Sequence, residues 1–370
     1  MNVKTAYSTK ETAPEAVEEL RAAFAGFDAK ALIYFASPRF EPAVLSGRMQ
    51  EIFGEIPVFG CTSSGEIVSG HMLDQSIVAM ALNDRMIDAI HVETLTNLKA
   101  DPKGAVERAF RSFETRFGIP VAAMDHRKYV GLVLIDGLSG MEEKVMERIG
   151  DLTDIQFVGG SAGDDLKFRQ THVFSGGKAL TDAAVVVLMK MATGFDFIKT
   201  QSFSVLDKCF TATKVNEASR EVVEFDHRPA LEVYAEALGT TPDKASDFFM
   251  SNPVGLMMGE EPYVRSPQRV QGTSLIFYCN IAEGMELCLL RSEDIVEGTR
   301  RDLDRKLKEM GSISGIINFN CILRTLELKQ NQMTEPYGRL FANIPTVGFS
   351  TYGEEYFGHI NQTATMLVIK

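Results

Sequence analysis

Apolar residues recur along the chain at two spacings, which predict alternating helices and strands. Thr12 and Pro14 are typical of a helix start, and the apolar residues from Val17 to Phe27 follow at helical spacing. Residues 31–36 are apolar throughout, as in a buried strand. The same patterns predict helices over 40–53, from 101 and over 141–149, and strands over 56–59, 76–82, 130–135, 155–158 and 183–190. Such alternation is typical of an α/β fold with mixed sheets.

The pattern changes near residue 195. Consecutive strands are predicted over 195–215, a helix over 229–238, a hairpin over 273–290 and a helix over 292–310, before strand–helix–strand order returns over 316–347. No linker rich in proline or serine marks the change. We therefore predict two domains, 1–195 and 196–370, with a soft boundary over 195–225.

Three segments of the chain share one plan. Each has an apolar strand, a helix, a short strand that ends in Val-Gly or Phe-Gly, a loop of small residues closed by Gly and an acid, and a further strand. The three loops are GCTSSGE, GGSAGD and GFSTYGE, over 60–66, 159–164 and 348–354.

Loops at the carboxyl ends of strands are where α/β proteins bind ligands. The glycines suit sharp turns or a close approach of two backbones. The repeats therefore predict that at least two of these loops face a common cavity, and the alternative is that they are ordinary tight turns.

Composition narrows the functional classes. The 370 residues hold 38 basic and 50 acidic side chains, so the net charge of 38 − 50 = −12 argues against a nucleic-acid or membrane-surface partner. The five cysteines have no zinc spacing, and no signal peptide or membrane-length apolar run occurs. We expect a soluble, cytoplasmic protein with reduced thiols.

The motifs GCTSSGEI, VGGSAGDD, FNCILRTLEL and GFSTYGEEYFGHINQT resemble the signatures of FIST-domain sensory proteins. The resemblance covers roughly residues 30–370 and implies an N-terminal and a C-terminal FIST module. Because the sequence ends just after the last strand, the chain resembles the stand-alone members that sense nitric oxide. That subset implies a haem b cofactor and regulation of a partner histidine kinase. Because the sequence lacks a convincing catalytic motif, we expect no enzymatic activity. The family also implies a second hypothesis, a haem-free sensor of small molecules such as amino acids. A homodimer is left open.

A haem iron needs an axial ligand, most simply histidine. His359 is the candidate because it lies inside the C-terminal signature, and His71 is the next candidate. The alternative for either is a hydrogen-bonded structural histidine. No CxxCH motif is present, so covalently attached haem is not expected.

Polar loop groups beside glycines can cradle a carboxylate or a phosphate. Arg324 is predicted in a mostly apolar strand, where it must either pair with a carboxylate (Glu66, Asp164 or Glu354) or reach a ligand. The residues assigned to ligand binding are Cys61, Thr62, Ser63, Ser161, Arg324, Ser350, Tyr352 and Glu354.

Two catalytic hypotheses are weaker. Gly159–Gly163 matches G-x-S-x-G, the nucleophile elbow of hydrolases, but the elbow needs a following helix and residues 164–174 predict a loop and a strand. Cys61, flanked by glycine and hydroxyls, is a candidate nucleophile or redox sensor, although a small buried cysteine is commonly inert.

Overall fold

The three sequence repeats fold as three six-stranded sheets. The structure is a computed structural model that describes residues 2–259, 261–356 and 358–370. Phe357, part of the C-terminal signature, lies outside the described residues. The chain divides into a first unit, residues up to 199 with 300–359 and 364–370, and a second unit, residues 200–299 with 360–363.

The first repeat begins with a strand, β1, that the sequence pattern did not predict and that pairs with β6 at the edge of the first sheet. Its elements are β1 (Val3–Ser8), α1 (Ala13–Phe24), β2 (Ala31–Ala36), α2 (Pro42–Phe53), β3 (Val58–Thr62), β4 (Glu66–Val68), β5 (His71–Leu73) and β6 (Ile77–Leu82). The Thr12 hydroxyl accepts a hydrogen bond from the Glu15 backbone N–H at 3.4 Å and caps α1, as the sequence predicts.

The second repeat has the same order. Its elements are β7 (Ile87–Thr96), α3 (Pro102–Phe117), β8 (Tyr129–Ile135), α4 (Glu142–Leu152), β9 (Phe157–Ser161), β10 (Val173–Ser175), β11 (Lys178–Leu180) and β12 (Ala183–Met191). Asp101 caps α3, and Gly118 ends it with a left-handed conformation.

The third repeat is interrupted by the second unit. After β13 (Phe195–Gln201) come β14 (Phe203–Asn216), β15 (Glu221–Phe225), β16 (Arg228–Pro229), α5 (Ala230–Leu238), β17 (Val254–Met258), β18 (Glu261–Arg265), β19 (Pro267–Gln271), β20 (Ser274–Phe277) and β21 (Glu286–Ser292). The repeat then continues with α6 (Ile295–Met310), β22 (Gly315–Cys321), α7 (Ile322–Gln330), α8 (Thr334–Arg339), β23 (Thr346–Thr351), β24 (Glu354–Tyr356), β25 (His359–Ile360) and β26 (Thr363–Ile369).

The repeats exchange their short hairpins in a closed cycle. The strand orders are β1-β6-β2-β3-β10-β11, β25-β24-β9-β8-β12-β7 and β13-β26-β22-β23-β4-β5. Each sheet therefore ends in the hairpin of another repeat: the first sheet takes that of the second repeat, the second that of the third, and the third that of the first. Each sheet contains one parallel pair of neighbouring strands, β2 with β3, β8 with β9 and β22 with β23.

One apolar core is shared by the three sheets. It contains residues of the first sheet such as Phe35, of the second such as Leu132, and of the third such as Phe319 and Phe349. The opposite faces of the first and second sheets are covered by α1 with α2 and by α3 with α4. Both faces of these strands are thus buried, which is why their sequences are apolar without alternation.

One glycine in each repeat is required by a close approach of two strands. Gly60, Gly159 and Gly348 lie opposite Tyr34, Val133 and Asn318 on the neighbouring parallel strand. A Cβ at each glycine would lie 1.8, 1.7 or 2.2 Å from the facing carbonyl oxygen, which no side chain tolerates. The prediction that glycine serves a close backbone approach is confirmed at these three positions.

The second unit is built on an eight-stranded antiparallel sheet. Its order is β18-β17-β21-β14-β15-β20-β19, with β16 paired to β15. A separate core forms around Phe225, Tyr234 and Phe277. Cys209 and Cys288, opposite each other on β14 and β21, form a disulfide, so the expectation of reduced thiols throughout is wrong in this structure. The two cysteines are 79 positions apart in the sequence, so their pairing could not be predicted before the register of β14 and β21 was known.

Several predicted elements need correction. The loops begin later than predicted, because Gly60, Cys61 and Thr62 continue β3 and keep its pairing with β2. The predicted hairpin over 273–290 is wrong: β20 pairs with β15 and β19, whereas β21 pairs with β14 and β17. Among the described residues, no helix is long and apolar enough to cross a membrane. The predicted α/β class with mixed sheets is confirmed.

Candidate functional site

The three glycine loops meet at the carboxyl ends of the parallel strand pairs. We call residues 60–66, 159–164 and 348–354 together the loop junction. Loops one and three are joined by the Ser64 N–H donating to the Ser350 carbonyl at 3.1 Å and by the Ser350 N–H donating to the Gly65 carbonyl at 2.8 Å. Loops one and two are joined by the Gly163 N–H donating to the Thr62 carbonyl at 3.0 Å.

Loops two and three are joined in the same way. The Ser161 N–H donates to the Gly353 carbonyl at 2.9 Å, and the Thr351 hydroxyl donates to the Ser161 carbonyl at 2.7 Å. The three loops are therefore neighbours, whereas the common cavity predicted for them stays a prediction. They contact one another directly, and most of the assigned side chains are bonded to protein groups.

The assigned hydroxyls have protein partners. Thr62 bonds the backbone of His172, and Ser350 bonds the Thr325 hydroxyl at 2.7 Å. The side chains of Thr62, Ser350 and Thr325 are buried. Cys61 is fully buried in the shared core, and burial raises the pKa of its thiol well above the usual value. A thiol held neutral in an apolar core is a poor nucleophile, so the structure favours the inert interpretation of Cys61.

Glu66 is a buried carboxylate held by hydroxyls. Its side chain accepts from the Ser63 hydroxyl, from the Ser76 hydroxyl at 2.6 Å and from the Ser76 N–H at 2.9 Å. Burial nevertheless raises the pKa of Glu66 to about 7, because these bonds only partly replace water.

Tyr352 fastens the third loop to the second. Its hydroxyl donates to the Asp164 carboxylate and accepts from the Leu166 N–H at 2.8 Å. Burial raises the pKa of Asp164, but the bonds from Tyr352 and from three backbone N–H groups outweigh it, and the net pKa is lowered. These bonds order the second loop and the residues that follow it.

Arg324 lies in a helix and not in the predicted strand. The strand β22 ends at Cys321, and α7 begins at Ile322. The predicted burial of Arg324 is confirmed, since only 1% of the residue is exposed, and its Nε donates to the Asn320 Oδ1 at 3.0 Å. Glu354, also assigned to the site, is fully buried at the start of β24.

His359 lies in a strongly acidic environment. We call Ser161, Glu142, Glu355 and His359 the His359 site. The His359 Nδ1 is 3.1 Å from the Glu355 Oε1, and the Ser161 hydroxyl donates to the Glu142 Oε1 at 3.2 Å. All four residues are buried, and the Oε2 of Glu355 has no hydrogen-bond partner among the described residues.

Burial and the neighbouring charges shift the pKa values of both His359 and Glu355. Burial lowers the pKa of His359, but the carboxylates of Glu355, Glu143 and Glu142 outweigh it, and the net pKa is raised. Burial raises the pKa of Glu355, and the attraction of His359 offsets this only in part. His359 therefore favours its protonated form among acidic side chains, and one of these, Glu355, is hard to ionise.

These residues do not fit a haem. An axial histidine must present a neutral imidazole nitrogen to the iron within a largely apolar wall. His359 instead favours its protonated form, and carboxylates surround it. His71, the other candidate, is exposed on β5. Neither histidine therefore has the surroundings of an axial haem ligand.

The nucleophile elbow also lacks its geometry. Ser161 ends β9, and no helix occurs over 162–172, all of which the structure describes. Its hydroxyl donates to the Glu142 carboxylate and bonds no imidazole of the residues that the structure describes. The strand–turn–helix arrangement of a hydrolase is therefore not formed.

Sequence reasoning missed two members of the His359 site. Glu355 adjoins an assigned residue inside the C-terminal signature, so its position four residues before His359 was a usable signal. Glu142 carried no signal, because only the folding of the second repeat brings its carboxylate to the Ser161 hydroxyl, 19 positions later in the sequence. Separately, a surface cavity of about 510 Å³ lies at the amino ends of β2 and β3, away from the loop junction, and its lining includes Lys30 and Arg116.

Comparison with known proteins agrees with the motifs. The chain matches the FIST N domain over residues 30–228 and the FIST C domain over residues 230–356. It is also similar to an uncharacterized protein of Methanocaldococcus jannaschii, at 24% identity in an alignment 180 residues long that covers 45% of this chain and 35% of that protein. The aligned part is thus about a third of that relative. FIST domains are generally sensory modules of signal transduction and are generally non-enzymatic. The chain belongs to the FIST family of sensory proteins.

Proposed function

We propose that this chain senses a small molecule carrying an amino group, that the His359 site binds it without haem, and that the bound state is passed to a separate signalling protein. The observation that carries the proposal is the buried Glu355 carboxylate, whose Oε2 lacks a hydrogen-bond partner among the described residues. A buried acceptor without a partner is costly, and a ligand N–H group would relieve that cost.

The charge at the site favours a cationic group. Glu355, Glu142 and Glu143 all act on the single histidine. Because burial raises the pKa of Glu355, an ammonium group that binds beside it would favour its ionised form. Binding would therefore release a proton near neutral pH and would strengthen as the pH rises through that range.

Chain continuity offers a route for the signal. Residues 360–363, which directly follow His359, belong to the second unit. There the Gln362 side chain donates to the Met250 carbonyl at 2.8 Å and accepts from the Ser266 hydroxyl at 2.7 Å. A ligand that moves His359 would also displace residues 360–363. A coupling free energy of about 1–3 kcal/mol between ligand binding and that displacement would suffice for regulation.

The partner is part of the proposal. The FIST resemblance supports a signalling protein, with a histidine kinase as the expected class and the cytoplasm as the expected location. Haem-based nitric oxide sensing stays a competing proposal that rests on family resemblance, with the geometry of the His359 site against it.

Thermal unfolding in the presence of amino acids tests the ligand class. We expect amino acids, or their decarboxylated amines, to raise the unfolding temperature of the wild-type protein, and the matching deaminated acids to have no effect. Glu355→Gln should abolish the shift while the protein stays folded. His126→Gln, in an exposed loop, is the matched control and should respond as the wild type does.

Spectroscopy of protein expressed with ample haem tests the competing proposal. A Soret band that responds to nitric oxide and disappears in His359→Ala would replace our proposal with haem sensing. Absence of thermal stabilisation by every amine, in wild type and control alike, would reject the amino-group ligand.

A further inference from the structure

Two cysteines and a glutamate of the second unit lie on one side of a strand pair. Cys209 on β14 is opposite Cys288 on β21, and Thr211 is opposite Glu286. Residues 286 and 288 point to the same face of β21, because side chains alternate along a strand. The two sulfur atoms and a carboxylate oxygen of Glu286 all lie within 4.8 Å of one another.

Solvent can reach this group of atoms. Cys209 and Glu286 are exposed, and Cys288 is buried at 5% exposure. The other cysteines, Cys61, Cys279 and Cys321, are buried. The chain thus has one cysteine pair that an external reductant can approach.

Reduction would turn the same atoms into metal ligands. An external dithiol that opens the Cys209–Cys288 bond supplies two electrons and two protons, so that two thiols form and the reductant becomes a disulfide. A thiophilic divalent cation then displaces the two thiol protons and binds both thiolates. A carboxylate oxygen is the third ligand, and water completes a tetrahedral site.

We propose that Cys209, Cys288 and Glu286 form a redox-gated site for a thiophilic divalent cation such as Zn²⁺. The site is closed while the disulfide is formed and opens when a dithiol reduces it. It lies in the second unit and is independent of the proposed amine sensing.

Zinc uptake by the full chain before and after reduction tests the site. The protein is reduced with a phosphine, desalted without oxygen, and titrated with Zn²⁺ in competition with a chromophoric chelator. We expect the reduced wild type to bind one more equivalent of Zn²⁺ than the oxidised protein. Co²⁺ in place of Zn²⁺ should give thiolate charge-transfer absorption.

Variants identify the ligands. Cys209→Ser and Cys288→Ser should each lose the extra equivalent, and Glu286→Gln should weaken binding at least about tenfold. Cys279→Ser is the matched control, since this cysteine lies in the same unit outside the pair. Should a serine variant fold poorly, reduced wild type alkylated at its accessible thiols gives the same readout. Equal zinc uptake by the oxidised, reduced and alkylated proteins would overturn the proposal.

Discussion

At the scale of single residues, burial makes the Glu66 carboxyl of the loop junction costly to ionise. A folded-state pKa of about 7 against an ordinary value of 4.5 means that Glu66 holds its proton more tightly in the folded state. Its contribution to stability is therefore fully present below pH 4.5 and is lost as the pH rises through about 7. The shift corresponds to about 3 kcal/mol.

Glu66→Gln removes this titration and keeps a side chain of similar shape. We expect the variant to become more stable relative to wild type as the pH rises. The free energy of unfolding of the variant minus that of wild type should increase by up to about 3 kcal/mol from pH 5 to pH 8. Urea unfolding at both pH values measures it. The exposed Glu11→Gln is the control and should follow the wild type at both pH values. A constant difference between Glu66→Gln and wild type would show that the Glu66 proton does not matter.

The sequence identified many residues of the junction but not their contacts. The glycine loops, His359 and the burial of Arg324 follow from motifs and apolar context. The bonds between loops do not, because they depend on which strands become neighbours across three repeats. Arg324 was misplaced because an apolar run predicts a strand and a buried helix equally well.

At the scale of elements, the exchanged hairpins explain why the three repeats could be found in the sequence whereas the order of strands in the sheets could not. Each repeat contains the same order of strands and helices, so the repeat can be found in sequence. The hairpin of each repeat, however, completes the sheet of another. Short strands such as β4 and β24 have three residues each, too few to give a periodic signal.

The three glycines at the parallel strand pairs give a prediction at this scale. Gly60→Ala, Gly159→Ala and Gly348→Ala should each lower stability by about 3 kcal/mol or more, because the added Cβ meets a backbone carbonyl that cannot move alone. Chemical denaturation of each variant measures the loss.

The control for these variants is Gly47→Ala. Gly47 lies inside α2 with open space around the added Cβ, and alanine there should stabilise the protein by about 1 kcal/mol. If the three strand variants and Gly47→Ala had similar effects, the close approach would not be what requires glycine.

At the scale of the whole molecule, each of the two units has its own apolar core. In the first unit, the rings of Phe35, Phe319 and Phe349 form a cluster with centroids 4.5–6.3 Å apart, and they come from the first and third repeats. In the second unit, Phe277 is buried in a core formed only by residues of that unit. Repeats that share a core should therefore lose protection together.

Phe35→Ala tests this arrangement. The substitution leaves a cavity between two sheets and should cost about 3–5 kcal/mol. Hydrogen exchange read by mass spectrometry should show faster exchange in peptides covering β2 and also in those covering β22 and β23, although the latter are nearly 300 residues away in sequence. Peptides covering β20 should be unchanged. Phe277→Ala is the reciprocal variant and should affect β20 while β2 and β22 stay protected. Faster exchange confined to β2 in Phe35→Ala would contradict a core shared between repeats, because the first sheet would then open without the third.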